Sequence, residues 1–149
     1  MKFILTNELG RLTKWLRILG YDSKFYRQDN LSTLVVTALR EERIILTRNS
    51  RMTRFVGPRI VKIKSDFVDK QIKQVRRELN LKPKPKDMFT RCIICNVELE
   101  EIAKNRIKRC VPEYVYKTQQ DFVICPKCKR VYWQGTHWGN VKKFLKKVS

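Results

Sequence analysis

The chain has 149 residues, and its 34 Lys+Arg against 14 Asp+Glu give a formal charge of +20, which points to a polyanionic partner. A hydrophobic fraction of 42% with 10% aromatic residues excludes a wholly disordered basic tail and leaves material for one or two packed domains. No apolar run approaches the roughly 18 residues that a membrane-crossing helix needs, so a soluble cytoplasmic protein with no membrane partner is expected.

The first half alternates strand and helix signals. Lys2–Leu5 predicts a strand, after which Leu9, Leu12, Leu16 and Leu19 recur at the spacing of one helix face. Asn7 is expected to cap that helix and Gly20 to end it. Residues 21–26 predict a second strand, 32–41 a helix burying Leu34, Val35 and Ala38, and 43–47 a β-branched strand with a possible helical turn through Met52. Residues 59–64 predict a further strand and 66–79 a helix with Val68, Ile72, Val75 and Leu79 inward. Such alternation implies a parallel α/β sheet.

Pro83 and Pro85, set between lysines, support neither a helix nor an inner strand, so 83–90 reads as a linker between a domain of 1–82 and one of 91–149. Beyond it the pattern turns to short strands at 97–102, 121–124 and 130–133, with a basic tail at the end. From Ile102 onward twelve basic residues face only Glu113 and Asp121, which places much of the anion attraction late in the chain.

Cys92 and Cys95, and again Cys125 and Cys128, follow Cys-x-x-Cys, a spacing that lets one tight turn aim two thiolates at a tetrahedral ion about 2.3 Å away. The 29 residues between the pairs are absorbed at small cost, because closure entropy grows only logarithmically with loop length. Four thiolates fill the coordination sphere, so the ion is expected to be structural Zn²⁺ and not catalytic; free or redox-active cysteines are the competing reading. A unit of about 60 residues buries little apolar surface, and chelation is expected to unfold it while leaving the first domain folded. The leftover Cys110 is expected to be a small buried apolar residue, and His137 a packed or RNA-facing side chain.

Arg11, Lys14 and Arg17 step along one helix, and Arg48, Arg51 and Arg54 do the same after the third strand. Both stripes read either as a phosphate-binding surface or as ordinary solvated faces. Lys129, Arg130, His137 and Trp138, followed by Lys142 and Lys143, interleave cations with stacking surfaces in the way that single-stranded RNA requires; Trp133 is expected in the core of the second domain, which is also the alternative for Trp138.

Several stretches together carry a resemblance: Leu9-Gly10-Arg11-Leu12, Lys14-Trp15-Leu16-Arg17, Leu19-Gly20-Tyr21-Asp22, 43–48, Arg91-Cys92-Ile93-Ile94-Cys95-Asn96 and 132–138. In order and spacing they resemble the Mut-seven carboxy-terminal RNase family, which couples a PIN-like nuclease domain to a zinc ribbon. The resemblance implies an α/β fold with a PIN-like parallel-sheet domain followed by a small β-rich zinc ribbon. It also implies catalytic acids that hold Mg²⁺ or Mn²⁺ at the carboxyl edge of the sheet. Two such positions are neutral here: Thr6 stands where the family has an aspartate after the first strand, and Thr47-Arg48-Asn49 replaces its Thr-Arg-Asp. Asp22 and Asp66 resemble the family's other acids, with Glu8 and Asp29 as substitutes. Their bland alternatives are a turn residue for Asp22 and a helix N-cap for Asp66.

A nuclease fold with reduced acidity is therefore expected to act as an RNA-binding component of the ribosome or another ribonucleoprotein, contacting ribosomal RNA and neighbouring ribosomal proteins. An endoribonuclease using the remaining acids with Mg²⁺ or Mn²⁺, and a toxin-like or DNA-directed PIN protein, are the alternatives.

Overall fold

The computed structural model describes residues 1–148, apart from the side chains of 136–138. Four short strands, β1 (Lys2–Leu5), β2 (Asp22–Phe25), β3 (Ile44–Thr47) and β4 (Ile60–Lys62), form a parallel sheet in the order β2-β1-β3-β4. Helix α1 (Gly10–Ile18) connects β1 to β2, α2 (Leu31–Glu41) connects β2 to β3, and α3 (Val68–Leu79) follows β4. Alternation along the strands fixes the layers. Phe3, Leu5 and Leu46 pack on the α1 and α3 side with Leu12, Leu16, Ile72 and Val75, whereas Ile4 and Ile45 pack on the α2 side with Leu34, Val35 and Ala38. The chain leaves β1 in one direction and β3 in the other, so the carboxyl ends of these two neighbours open a crevice at a topological switch point.

Gly20 ends α1 as expected, by a left-handed closure with φ +97°. The Gly20 amide donates to the Arg17 carbonyl and the Tyr21 amide to that of Leu16, which satisfies the last turn. A Cβ at Gly20 would lie 2.3 Å from the Asp87 carbonyl oxygen, so the position demands glycine for space as well as for conformation. Asn7 does not cap α1. It opens a 3-10 turn, Asn7–Leu9, and gives its amide to Asp29 at 3.3 Å, while the α1 N-cap is Leu9, without a side-chain cap.

The second, antiparallel sheet has the order β5 (Glu100–Ile102), β6 (Phe122–Ile124), β7 (Val131–Tyr132). Its small core of Ile107, Val115 and Phe122 is joined by Trp133. Two helices were not expected from the sequence: α4 (Glu113–Thr118), in the long loop between the cysteine pairs, and α5 (Thr136–Lys147), where a basic tail was expected. α5 returns to the parallel-sheet unit. Phe144 stacks on Trp15 with ring centroids 3.9 Å apart, and Val148 is buried in the core beneath α1 and α3. Among the described residues no helix is long and apolar enough to cross a membrane.

At the amino edge of the parallel sheet, Arg43 donates to Glu41 and to Asp22, each at 2.8 Å, and to the Phe3 carbonyl at 3.0 Å. Lys24 adds a 3.1 Å ion pair to Glu41. The bond from Arg43 is the main reason that Glu41 falls from its ordinary value of 4.5 to about 2. Asp22 is also lowered, because bonds from Arg43 and Asn96 outweigh the burial that would raise it. Both carboxylates titrate below their unfolded values, so their stabilisation is complete above the ordinary carboxylate range and is lost as pH falls through the folded values. The melting temperature should therefore fall between pH 4.5 and about 2, and Glu41→Gln should show a smaller fall over that interval in thermal melts.

Candidate functional site

Thr6 and Asn49 lie at the switch-point crevice, just past β1 and β3. Thr6 is buried, and its amide donates to the Leu46 carbonyl at 3.2 Å, which holds the two strand ends together. The Thr6 hydroxyl bonds to the Glu8 carboxylate and lies 2.9 Å from the Thr47 hydroxyl. Glu8 also accepts from the Arg48 amide at 2.8 Å. Burial would raise Glu8, but the bonds from Thr6, the Arg48 amide and Thr47 together bring it below its ordinary range. A carboxylate that is not at the family's aspartate position thus reaches back over the same strand end. Asn49 turns its side chain away to cap the following 3-10 turn, accepting from the Arg51 amide at 2.9 Å.

Asp66 sits at this edge on the segment after β4, largely exposed, and pairs with the Arg48 guanidinium. It is not the cap of α3: that position is Phe67, whose amide donates to Ser65 Oγ at 3.1 Å. Asp22, named as a catalytic candidate, is at the opposite edge. It begins β2 in register with Lys2, three residues before the end of β1, so the sheet separates it from Thr6 by about 10 Å or more. It is not a turn residue either, being a strand residue held by Arg43 and, at 2.7 Å, by the side-chain amide of Asn96. Asp29 accepts from the Asn7 side-chain amide at 3.3 Å.

The cysteine pairs meet as expected. The Sγ atoms of Cys92, Cys95, Cys125 and Cys128 all lie within 4.8 Å of one another. Those of Cys92 and Cys128 are 3.7 Å apart, and a tetrahedron of thiolates about 2.3 Å from zinc has edges of about 3.8 Å. The two turns share one geometry. Cys95 and Cys128 amides donate to the sulfurs of Cys92 and Cys125 at 3.4 Å, and the next residues, Asn96 and Lys129, take left-handed conformations with φ 66° and 65°. Burial and the neighbouring sulfurs push Cys95 up to about 12. Against the burial that would raise it, a 3.1 Å bond to the Tyr132 hydroxyl helps draw Cys92 down to about 7. Four thiols so crowded cannot all ionise without a cation, so the donor set fits a structural Zn²⁺ with no open position for water. Cys110 stays outside this cluster, and it is exposed, not buried.

The first cysteine turn is also bolted to the parallel-sheet unit. Arg17, expected on a basic stripe, is only 8% exposed. Its Nε donates to the Ser23 carbonyl at 2.8 Å, and its Nη1 to the carbonyls of Ile93 and Ile94 at 2.8 and 3.2 Å. Asn96 accepts from the Ser23 amide at 2.9 Å, and Arg91 reaches the Gly20 carbonyl at 3.4 Å. The residues that follow each other as Lys14–Arg17, Leu19–Asp22 and Arg91–Asn96 therefore converge on one seam. Sequence reading missed this role, because Arg17 follows Thr13 and Lys14 on its side of the helix and its partners are distant in the chain.

The other basic candidates are on the surface. Arg11 and Lys14 project from α1, Arg51 and Arg54 from the 3-10 turn after Asn49, Lys129 and Arg130 from the turn after Cys128, and Lys142 and Lys143 from α5. Arg48 is half-buried beside Asp66. The side chains of His137 and Trp138 lie outside the described residues.

The seam revises the expected response to chelation. The carbonyls that accept from buried Arg17 belong to the first cysteine turn, so removal of a bound ion should displace them, a loss of about 1–3 kcal/mol or more for a charged donor. Chelation or Cys125→Ser should therefore lower the melting temperature of the whole chain and speed amide hydrogen exchange in α1 and β2. Unchanged exchange there would refute the coupling.

No curated protein and no solved structure matches the chain. A family model, the Mut7-C RNAse domain, matches residues 1–145, a span that takes in the parallel sheet, its acid-poor carboxyl edge and both cysteine turns. On that match the chain belongs to the Mut7-C RNAse domain family, an RNA-related nuclease family.

Proposed function

We propose that this member of the family binds RNA without cutting it, as a cytoplasmic component of the ribosome or another ribonucleoprotein. The observation that carries this reading is the pairing of the Arg48 guanidinium with Asp66 at an edge where Thr6 and Asn49 are neutral. Mg²⁺ keeps several waters and relies on one or two carboxylates together with substrate phosphates. Here one of the two nearest carboxylates is matched by a fixed cation, and the other, Glu8, already accepts from Thr6 and the Arg48 amide. Such an edge has little negative charge free for a divalent ion.

The charge of +20 supplies the remaining support, because ribosomal RNA rewards many weak phosphate contacts distributed over a rigid surface. Arg11, Lys14, Arg51, Arg54, Lys129, Arg130, Lys142 and Lys143 are exposed for that task. Neighbouring ribosomal proteins would be further partners. One observation favours a second reading, a metal-dependent endoribonuclease: Glu8 and Asp66 both remain at the carboxyl edge.

A labelled single strand should stay intact with Mg²⁺ or Mn²⁺, while binding weakens with salt by about 0.7 in log affinity per log salt for each phosphate contacted. The chain should also co-sediment with ribosomal particles at moderate salt. Manganese-dependent cleavage that disappears in Glu8→Gln or Asp66→Asn would establish the enzyme instead. The double substitution Thr6→Asp/Asn49→Asp should raise Mn²⁺ affinity measured by calorimetry.

A further inference from the structure

An open groove of about 500 Å³ lies beside the carboxyl edge, walled by α1 through Arg11, by the start of α3 through Phe67 and Lys70, and by α5 through Phe144 and Lys147. Its volume is of the size that small ligands occupy. Phe67 is 64% exposed, which is unusual for a phenylalanine and is not explained by the packing of the fold. The Lys70 ammonium sits 5.4 Å from the centroid of its ring. Two acids also line the groove, and each has its own cation: Asp69 is paired with Lys147 at 3.5 Å, and Asp66 with Arg48. Arg11 and Lys70 remain as the surplus positive charge.

From this arrangement we infer that the groove holds one unstacked nucleotide of a single-stranded RNA, its base against Phe67 and its flanking phosphates on Arg11 and Lys70. The inference deepens the RNA-binding reading and rests on it. Every base has a π-face that an exposed aromatic ring can take; the Lys70 ammonium lies over one face of Phe67, so the base takes the other, while Lys70 and Arg11 meet the backbone on either side. Duplex RNA keeps its bases stacked and offers only its phosphates, ribose hydroxyls and groove edges, so it has no use for Phe67. The Arg48–Asp66 pair joins the groove to the crevice at Thr6 and Glu8, so the adjoining nucleotide lies over the edge where the family's acids would stand. α5 completes the groove, which gives the returning carboxyl-terminal segment a part in recognition.

Fluorescence anisotropy with labelled twelve-nucleotide oligouridylate and a twelve-base-pair RNA duplex tests this on the full metal-loaded chain. Phe67→Ala should weaken oligouridylate binding about tenfold, leave duplex binding within about twofold, and keep the salt slope unchanged, because a stacking contact releases no counterions. Phe67→Tyr should bind as the unsubstituted chain does. Lys70→Gln should lower the single-strand salt slope by about 0.7. Equal losses for single strand and duplex in Phe67→Ala, or no loss in either, would overturn the groove assignment while the RNA-binding reading stands. Failure of the unsubstituted chain to bind either RNA would overturn both.

Discussion

The architecture depends on one buried cation. Arg17 gives up water for three backbone carbonyls, and two of them, those of Ile93 and Ile94, belong to a turn whose shape is set by the cysteine cluster. A guanidinium in that position is tolerable only while its acceptors stay in place. The cysteine turns therefore hold more than their own small sheet. Asn96, directly after Cys95, bonds to both Ser23 and Asp22, and Arg91, directly before Cys92, reaches back to Gly20. Cysteine cluster, turn and parallel sheet form a single mechanical series.

The opposite end of the sheet has a different electrostatic character. β1 and β3 deliver Thr6 and Thr47 to the switch-point crevice, where a nuclease of this family would need clustered negative charge. Two neutral side chains and an arginine reduce that charge, leaving Glu8 and Asp66 with Arg48 between them. The polar groups there bond mainly to one another, through the Thr6, Thr47 and Glu8 contacts.

Much of this was legible in the residues. Apolar spacing gave all four strands of the parallel sheet and its three helices within a few residues, because each is governed by a local period that burial then rewards. The paired cysteines were equally plain, since tetrahedral thiolate geometry admits few spacings. What escaped was set by distant partners. Asp22 resembles a catalytic acid in sequence, yet its chemistry is decided by Arg43 and Asn96, which lie 21 and 74 residues away. Arg17 looks like part of a basic stripe until the cysteine turn is laid over it. α5 reads as a charged tail because lysines dominate it, and only the stacking of Phe144 on Trp15 reveals the face that packs. Phe67 gave no periodic signal, being the residue just before a helix begins.

The return of α5 also imposes an order on folding. Val148 is 2% exposed within the same core as Phe3 and Leu16, so the last piece of the parallel-sheet unit's interior is in place only after α5 has emerged. A nascent amino-terminal half would present that apolar gap to the cellular surroundings, where chaperones would find it. Completion of the first unit is thus tied to synthesis of the last helix.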